Sequence, residues 1–188
     1  MDDREFFEKF VIGHMCADIQ REIDLRRAGQ SAGSFLCALG LLSYTEYMGE
    51  WEIRPANSFT AKFNTFFRRM GPLYASLLDQ GVDVYRDFRC GLAHYYAVKH
   101  STSIYMLNED GEQGPMIVFA PAGSGVSDSS VPRPVDVGIG RAPNGAYFFV
   151  VEKYLEDFKA ACLGLLAERL NAQPQVGVYI RPTTRSSG

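Results

Sequence analysis

The chain has 188 residues, a hydrophobic fraction of 46%, a charged fraction of 22% and a net charge of −3. That length fits one domain able to bury a core without disulfides or metal ions. No apolar run approaches a membrane span and the acidic start Met1-Asp2-Asp3-Arg4-Glu5 is unlike a signal peptide, so we expect a cytoplasmic protein without a membrane segment.

The first fifty residues carry the apolar spacing of α-helices. Apolar residues recur at intervals of three and four over residues 4–27, which predicts the first helix. A second helix is predicted from Ser31 or Ser34 to Met48, with Gly49 as its stop. Its apolar residues lie all around the helix, so we expect burial on most sides or packing against a second subunit.

Three further helices are predicted before residue 100. Ser58 is the expected N-cap of the third, Gly71-Pro72 ends it, and a short helix covers Leu73–Leu78. The next helix runs from Val82 to about Val98. The aromatic residues expected in the core of these helices are Phe59, Phe63, Phe66, Phe67, Phe88 and Tyr95.

After His100 the apolar period changes to two, which predicts strands. Two hairpins are expected, followed by a long helix, Val151–Leu170, and a Gly-, Ser- and Pro-rich loop at 121–134 separates the hairpins. The predicted strand pairs are Ile104–Leu107 with Met116–Phe119 around a turn at 108–111, and Val135–Ile139 with Tyr147–Val151 around Asn144-Gly145.

The sequence therefore predicts a mainly α fold, a helical bundle with a small antiparallel β-sheet of hairpins, at about 103–150, inserted before the last helix. We expect one domain over 1–174 with its β insertion at 101–150, and a C-terminal tail at 175–188 with one possible strand, Val176–Ile180.

The charge is unevenly distributed along the chain. Residues 1–53 carry a net −5, residues 54–100 a net +4 and residues 101–188 a net −2. A positive middle segment fits a nucleic-acid substrate, and it equally fits a solvated helix face. The four cysteines are widely separated without a CxxC pair, so we expect reduced thiols, no zinc site and no cofactor.

The densest chemistry lies in residues 85–96, which read YRDFRCGLAHYY. Arg89 and His94 are five residues apart within this run. Arginine can grip a phosphate through two hydrogen bonds, and histidine can move a proton near neutral pH. Together they supply what cleavage of a phosphodiester without a metal ion requires.

This run resembles the Arg-x4-His signature of HEPN-domain proteins, a large group of small helical RNases and their inactive relatives. Tyr96 completes the Arg-x4-His-x-Tyr form of a branch that is paired with small nucleotidyltransferases. The resemblance implies a HEPN-like helical bundle, a homodimer, and a metal-independent endoribonuclease that serves as a toxin or defence effector. Its products from single-stranded RNA would carry 2′,3′-cyclic phosphate and 5′-hydroxyl ends.

Geometry restricts how the two residues can cooperate. Residues five apart on an ideal helix lie about 140° apart around its axis, so one straight helix cannot bring Arg89 and His94 onto one phosphate. Either Gly91 loosens the helix between them, or a two-fold dimer sets Arg89 of one chain near His94 of the other. The second arrangement is the one for which HEPN proteins are known.

In this hypothesis Arg89 and His94 are the catalytic pair. His94 acts as general base or acid on the ribose 2′-hydroxyl or the leaving 5′-oxygen, and Arg89 steadies charge on the phosphoryl oxygens. Tyr96, seven residues after Arg89 and on the same helix face, would bind phosphate or be a modification target. The substrate-binding set would be Arg86, Tyr96, Lys99 and His100.

Several alternatives stay open. Cys90 stands where the family usually has Asn, Asp or His, which favours a non-catalytic binding or partner module whose Tyr96 is adenylylated by a nucleotidyltransferase. A dimerisation domain is a third possibility, and a Cys90 nucleophile in the row Arg86, Cys90, His94 is a fourth. Arg89 could also simply pair with a carboxylate, and Asp157 is a candidate partner for Arg86 or Arg89.

Overall fold

The computed structural model describes residues 2–53, 58–98, 101–107, 117–119 and 136–172. Those ranges contain six helices and four short strands. The helices are α1, in three continuous parts (Asp3–Glu5, π-helical Phe6–Cys16, Ala17–Arg27), α2 (Ser34–Glu52), α3 (Phe59–Arg69), α4 (Pro72–Asp79), α5 (π-helical Tyr85–Cys90, then Gly91–Tyr95) and α6 (Val151–Ala172). The strands are β1 (Thr102–Tyr105), β2 (Ile117–Phe119), β3 (Ile139–Arg141) and β4 (Tyr147–Val150). The predicted mainly helical fold with a small sheet before the last helix is confirmed.

Helix α1 buries the side predicted from its apolar spacing. Phe7, Val11, Met15, Ile19 and Ile23 recur every four residues, and all are buried. That spacing suits the underwound π-helical turns as well as the α-helical part, because the buried residues stay on one side in both.

The predicted start of α3 is confirmed, whereas the predicted end of α2 is wrong. The Ser58 hydroxyl accepts a hydrogen bond from the Ala61 N–H at 3.3 Å, as an N-cap does. Helix α2 continues past Gly49 to Glu52. A Cβ atom at Gly49 would overlap the main chain of Lys62, so this glycine lets α2 and α3 cross closely and does not stop the helix.

One buried cluster joins the helices to the sheet, and it includes Ile104 of β1 and Phe149 of β4. Phe66 packs on Phe158 of α6 with ring centroids 5.5 Å apart, and the Thr45 and Tyr154 hydroxyls are hydrogen-bonded at 2.9 Å. Phe63, Phe66, Phe67 and Phe88 are buried as predicted.

Two aromatic residues predicted for the core are exposed. Phe59 is 60% exposed because it is the first residue of α3, and the ammonium of Lys62 lies 5.0 Å from its ring centroid. Tyr95 is 79% exposed. The π-helical stretch Tyr85–Cys90 takes up more residues per turn than an α-helix, so Tyr95 is rotated off the face that buries Phe88.

The sheet is mixed, which corrects the predicted antiparallel sheet. Its strand order is β2-β1-β4-β3. Strands β1 and β2, and β3 and β4, form the two antiparallel pairs expected from the hairpin patterns. Strands β1 and β4 are parallel neighbours, with Thr102 opposite Tyr147. The two antiparallel pairs therefore lie side by side in one sheet.

The second hairpin turns at the predicted Asn144-Gly145. The Gly145 N–H donates to the Ala142 carbonyl at 2.9 Å, and Gly145 has a φ of +84°, which glycine tolerates best. Strand β3 begins at Ile139, where the predicted Val135–Ile139 strand was to end. The predicted turn at 108–111, the loop at 121–134 and the Val176–Ile180 strand lie outside the described residues.

Within the described ranges, no helix combines the length and apolar content that crossing a membrane requires. All four cysteines are free thiols. Burial raises the pKa of Cys16 to about 11 and, with the nearby Glu22 and Glu152 carboxylates adding to the effect, that of Cys37 to about 12.

Candidate functional site

Helix α5 carries the Arg-x4-His run and ends earlier than predicted. The Asp83 carboxylate accepts a hydrogen bond from the Arg86 N–H at 3.1 Å, which supports the first turn. The last helical residue is Tyr95, and Tyr96 adopts a left-handed conformation with a φ of +51°. A residue in that conformation cannot continue an α-helix, so the predicted extension of the helix to about Val98 is wrong.

The chain after Tyr96 folds back over Gly91. The Ala97 N–H donates to the Gly91 carbonyl at 3.3 Å. A Cβ atom at position 91 would lie 2.5 Å from the Ala97 carbonyl oxygen and 3.4 Å from the Val98 Cα. Gly91 therefore permits this close return of the backbone, and it also marks the junction between the π-helical and α-helical parts of α5.

Arg89 faces α2. Its Nε lies 2.7 Å from Oε2 of Glu46, and the two side chains are only 22% and 15% exposed. Neither atom has a hydrogen bond of acceptable angle, so the contact is an ion pair. The guanidinium carbon also lies 5.9 Å from the Tyr85 ring centroid. Arg89 is therefore held in the seam between α2 and α5.

His94 lies on a different side of α5, where it is exposed at a cleft of about 570 Å³. Arg86 is exposed at the same cleft, and Cys90 is half-buried between them, as their spacing of four residues predicts. Arg89 does not line this cleft. The lining residues are Arg86, Asp87, Cys90, Gly91, His94, Tyr95, Ala97 and Val98.

Tyr85 links the seam to the cleft. Burial, the Glu46 carboxylate and a hydrogen bond with Cys90 raise the pKa of the Tyr85 hydroxyl to about 12, while Arg89 acts in the opposite direction. The hydroxyl therefore keeps its proton near neutral pH.

Tyr96 is 71% exposed and stacks on Phe35 of α2, with centroids 5.2 Å apart and ring planes 11° apart. The prediction that Tyr96 shares a helix face with Arg89 is wrong, because the π-helical turns and the left-handed residue change its direction. Tyr95 lines the cleft, with its ring centroid 6.4 Å from that of His94. Lys99 and His100 lie outside the described residues.

Asp157 pairs with neither Arg86 nor Arg89, contrary to the suggestion from the sequence. Its carboxylate lies 2.9 Å from Lys153 Nζ and accepts a hydrogen bond from the Tyr74 hydroxyl at 2.7 Å. Sequence reasoning also missed Glu46 and Phe35. Glu46 could have been noticed as an acidic residue between Tyr44 and Tyr47 on a mostly apolar helix, but its partner depends on the fold.

Among the described residues, no three His, Cys, Asp or Glu side chains come together as a metal site would require. No family model, curated protein or solved structure matches the chain. The site itself therefore carries the indication of function: an exposed histidine, an exposed arginine and one exposed tyrosine line the same cleft.

Proposed function

We propose that the protein is a metal-independent endoribonuclease of the HEPN type that cleaves single-stranded RNA at the α5 cleft. The observation that supports this proposal is the exposure of His94 beside Arg86 at one cleft. A proton-transfer group and a permanent cation thereby line the cleft that would hold the RNA strand.

The reaction needs two proton movements. The imidazole of His94 accepts the proton of the ribose 2′-hydroxyl, or delivers a proton to the leaving 5′-oxygen, and solvent water makes the other of these two proton transfers. The 2′-oxygen forms a bond to phosphorus as the bond from phosphorus to the 5′-oxygen breaks. A 2′,3′-cyclic phosphate and a 5′-hydroxyl result, and Arg86 holds the negative phosphate in place.

Arg89 enters this scheme through a homodimer. Its guanidinium lies in the α2–α5 seam and outside the cleft of its own chain, while Glu46 fixes its orientation. A two-fold partner would place the seam of one chain against the cleft of the other. Leu36 and Tyr47 of α2, which are 64% and 39% exposed, offer apolar surface for such a partner. We place this activity in the cytoplasm, in a toxin or defence effector.

The test is incubation of the purified protein with end-labelled single-stranded RNA in excess chelator. We expect cyclic-phosphate ends from the wild type, and a loss of about 100-fold or more in rate in His94→Ala and Arg89→Ala. His14→Ala and Arg21→Ala remove an exposed histidine and an exposed arginine of α1, and both should cleave like the wild type. Equal cleavage by wild type and His94→Ala would end the proposal.

A second function is favoured by the exposure of Tyr96. A hydroxyl on a side chain that is 71% exposed is accessible to a modifying enzyme, which suits a non-catalytic partner module adenylylated by a nucleotidyltransferase. Intact mass after incubation with such an enzyme and ATP should then rise in steps of AMP. The gain in mass should vanish in Tyr96→Phe. It should persist in the control Tyr95→Phe, which removes the hydroxyl of a neighbouring tyrosine that is 79% exposed.

A further inference from the structure

Tyr96 combines an unfavourable backbone conformation with an exposed aromatic ring. It is the one non-glycine residue with a positive φ in the described part of the chain. Such a conformation costs free energy for a tyrosine, and residues of this kind cluster at functional sites. The stack on Phe35 fixes the orientation of the ring, and yet 71% of the residue remains exposed.

The position of Tyr96 relates this ring to the cleft. Tyr95 and Ala97, its two chain neighbours, both line the cleft that holds Arg86 and His94. Consecutive Cα atoms are about 3.8 Å apart, so Tyr96 begins at the cleft rim. Its ring then extends toward α2, where it meets Phe35. A chain with its phosphate in the cleft would therefore have a neighbouring base within reach of the ring.

We propose that the Phe35–Tyr96 pair is a stacking platform for one unpaired base of a single-stranded RNA. Bases stack on exposed aromatic rings in proteins that bind single strands, while cations beside the rings hold the backbone. Arg86, which lines the cleft, is the permanent cation here. Phe59 lacks this arrangement, because the Lys62 ammonium lies over the face of its ring, where a base would have to stack. The choice of RNA as the ligand rests on the proposed function. The Phe35–Tyr96 platform is a different site from the cleft in which cleavage is proposed.

The decisive variant is Tyr96→Asn. Asparagine adopts the left-handed conformation more readily than tyrosine, so this change removes the ring and keeps the turn. Tyr96→Phe keeps the ring and removes the hydroxyl. Phe59→Asn removes a ring that is 60% exposed on α3, and it is the matched control. Thermal unfolding of each variant is measured to check that the fold is retained.

The assay measures binding in excess chelator, with His94→Ala in every protein so that the RNA stays intact. The probes are a short single-stranded RNA containing 2-aminopurine and the same strand with abasic sites. We expect quenching of 2-aminopurine and tighter binding of the base-containing strand. The Tyr96→Asn variant should bind the base-containing strand about tenfold more weakly, and no more tightly than the abasic strand. The Tyr96→Phe and Phe59→Asn variants should still prefer the base-containing strand.

The outcomes separate the platform from the ribonuclease. Unchanged binding by Tyr96→Asn would overturn the platform while leaving His94-dependent cleavage intact. Loss in both Tyr96→Asn and Tyr96→Phe would assign the effect to the hydroxyl and also overturn stacking. Equal binding of base-containing and abasic strands by every protein, or no binding by any, would overturn it as well. The cleavage assay decides the proposed function separately.

Discussion

Glu46 is the acidic residue that holds Arg89 in the α2–α5 seam, and both side chains are mostly buried. Replacing Glu46 with glutamine leaves the guanidinium partly desolvated and without a countercharge. We expect Glu46→Gln to lower the free energy of unfolding by about 1–3 kcal/mol. Urea denaturation followed by circular dichroism measures the change.

Glu8→Gln, on α1, is the matched control. Glu8 lies 3.8 Å from Arg4 and both side chains are 63% exposed, so its loss should change the free energy of unfolding by less than about 1 kcal/mol. Equal effects of the two substitutions would show that the ion pair of Arg89 adds nothing to stability.

The sequence indicated the residues that α5 itself contributes to the candidate site, but not Glu46 and Phe35, which α2 contributes. The spacing of Arg86, Cys90 and His94 predicts the row that lines the cleft. The partner of Arg89 is a residue of α2, and only tertiary packing brings it there. Tyr95 was assigned to the core because a regular helical period was assumed across a π-helical stretch.

The crossing of α2 and α3 depends on the absence of a side chain at Gly49. Because an added methyl group would overlap the main chain of Lys62, the helices must move apart in Gly49→Ala. We expect a loss of about 1–3 kcal/mol in the free energy of unfolding, from the overpacking of a rigid contact. Chemical denaturation is again the measurement.

Gly164→Ala, on α6, is expected to stabilise the protein, in contrast to Gly49→Ala. No atom outside its own helix lies within 4 Å of a Cβ at this exposed position. The free energy of unfolding should therefore rise by up to about 1 kcal/mol, since alanine favours the helix. Similar behaviour of the two variants would contradict the close crossing at Gly49.

Helix spans followed from apolar spacing, and hairpins followed from turn residues. Spacing could not predict that the two hairpins pair with each other through β1 and β4. A period of two identifies a strand but does not indicate which distant strand lies beside it. Gly49 was misread as a stop because a close helix crossing and a helix end both select glycine.

For the molecule as a whole, the raised pKa values of buried thiols and tyrosines predict a lower free energy of unfolding at alkaline pH. Burial raises the pKa of Cys16 to about 11, of Cys37 to about 12 and of Tyr85 to about 12, and it also raises those of Tyr154 and Cys162. These groups lose their protons at lower pH in the unfolded chain than in the folded one. Their contribution is therefore complete below about pH 9 and is lost as the pH rises through about 9 to 12.

Urea denaturation in a reducing buffer between about pH 8 and pH 11 checks this expectation. The free energy of unfolding should fall as the pH rises, with protons released on unfolding. In Cys37→Ala the slope against pH should be shallower, even though loss of the buried sulfur atom lowers stability at every pH. A flat profile in the wild type would contradict the assigned shifts.

The parallel pairing of β1 with β4 has a consequence for the order in which the protein assembles during synthesis. Strand β1 leaves the ribosome long before Tyr147, the residue opposite Thr102, and α6 follows β4 without a break. Until then the chain lacks Tyr154 and Phe158, which cover Thr45 and Phe66. A nascent chain that ends before α6 therefore exposes an apolar groove, and this interval is when a chaperone would have most to bind.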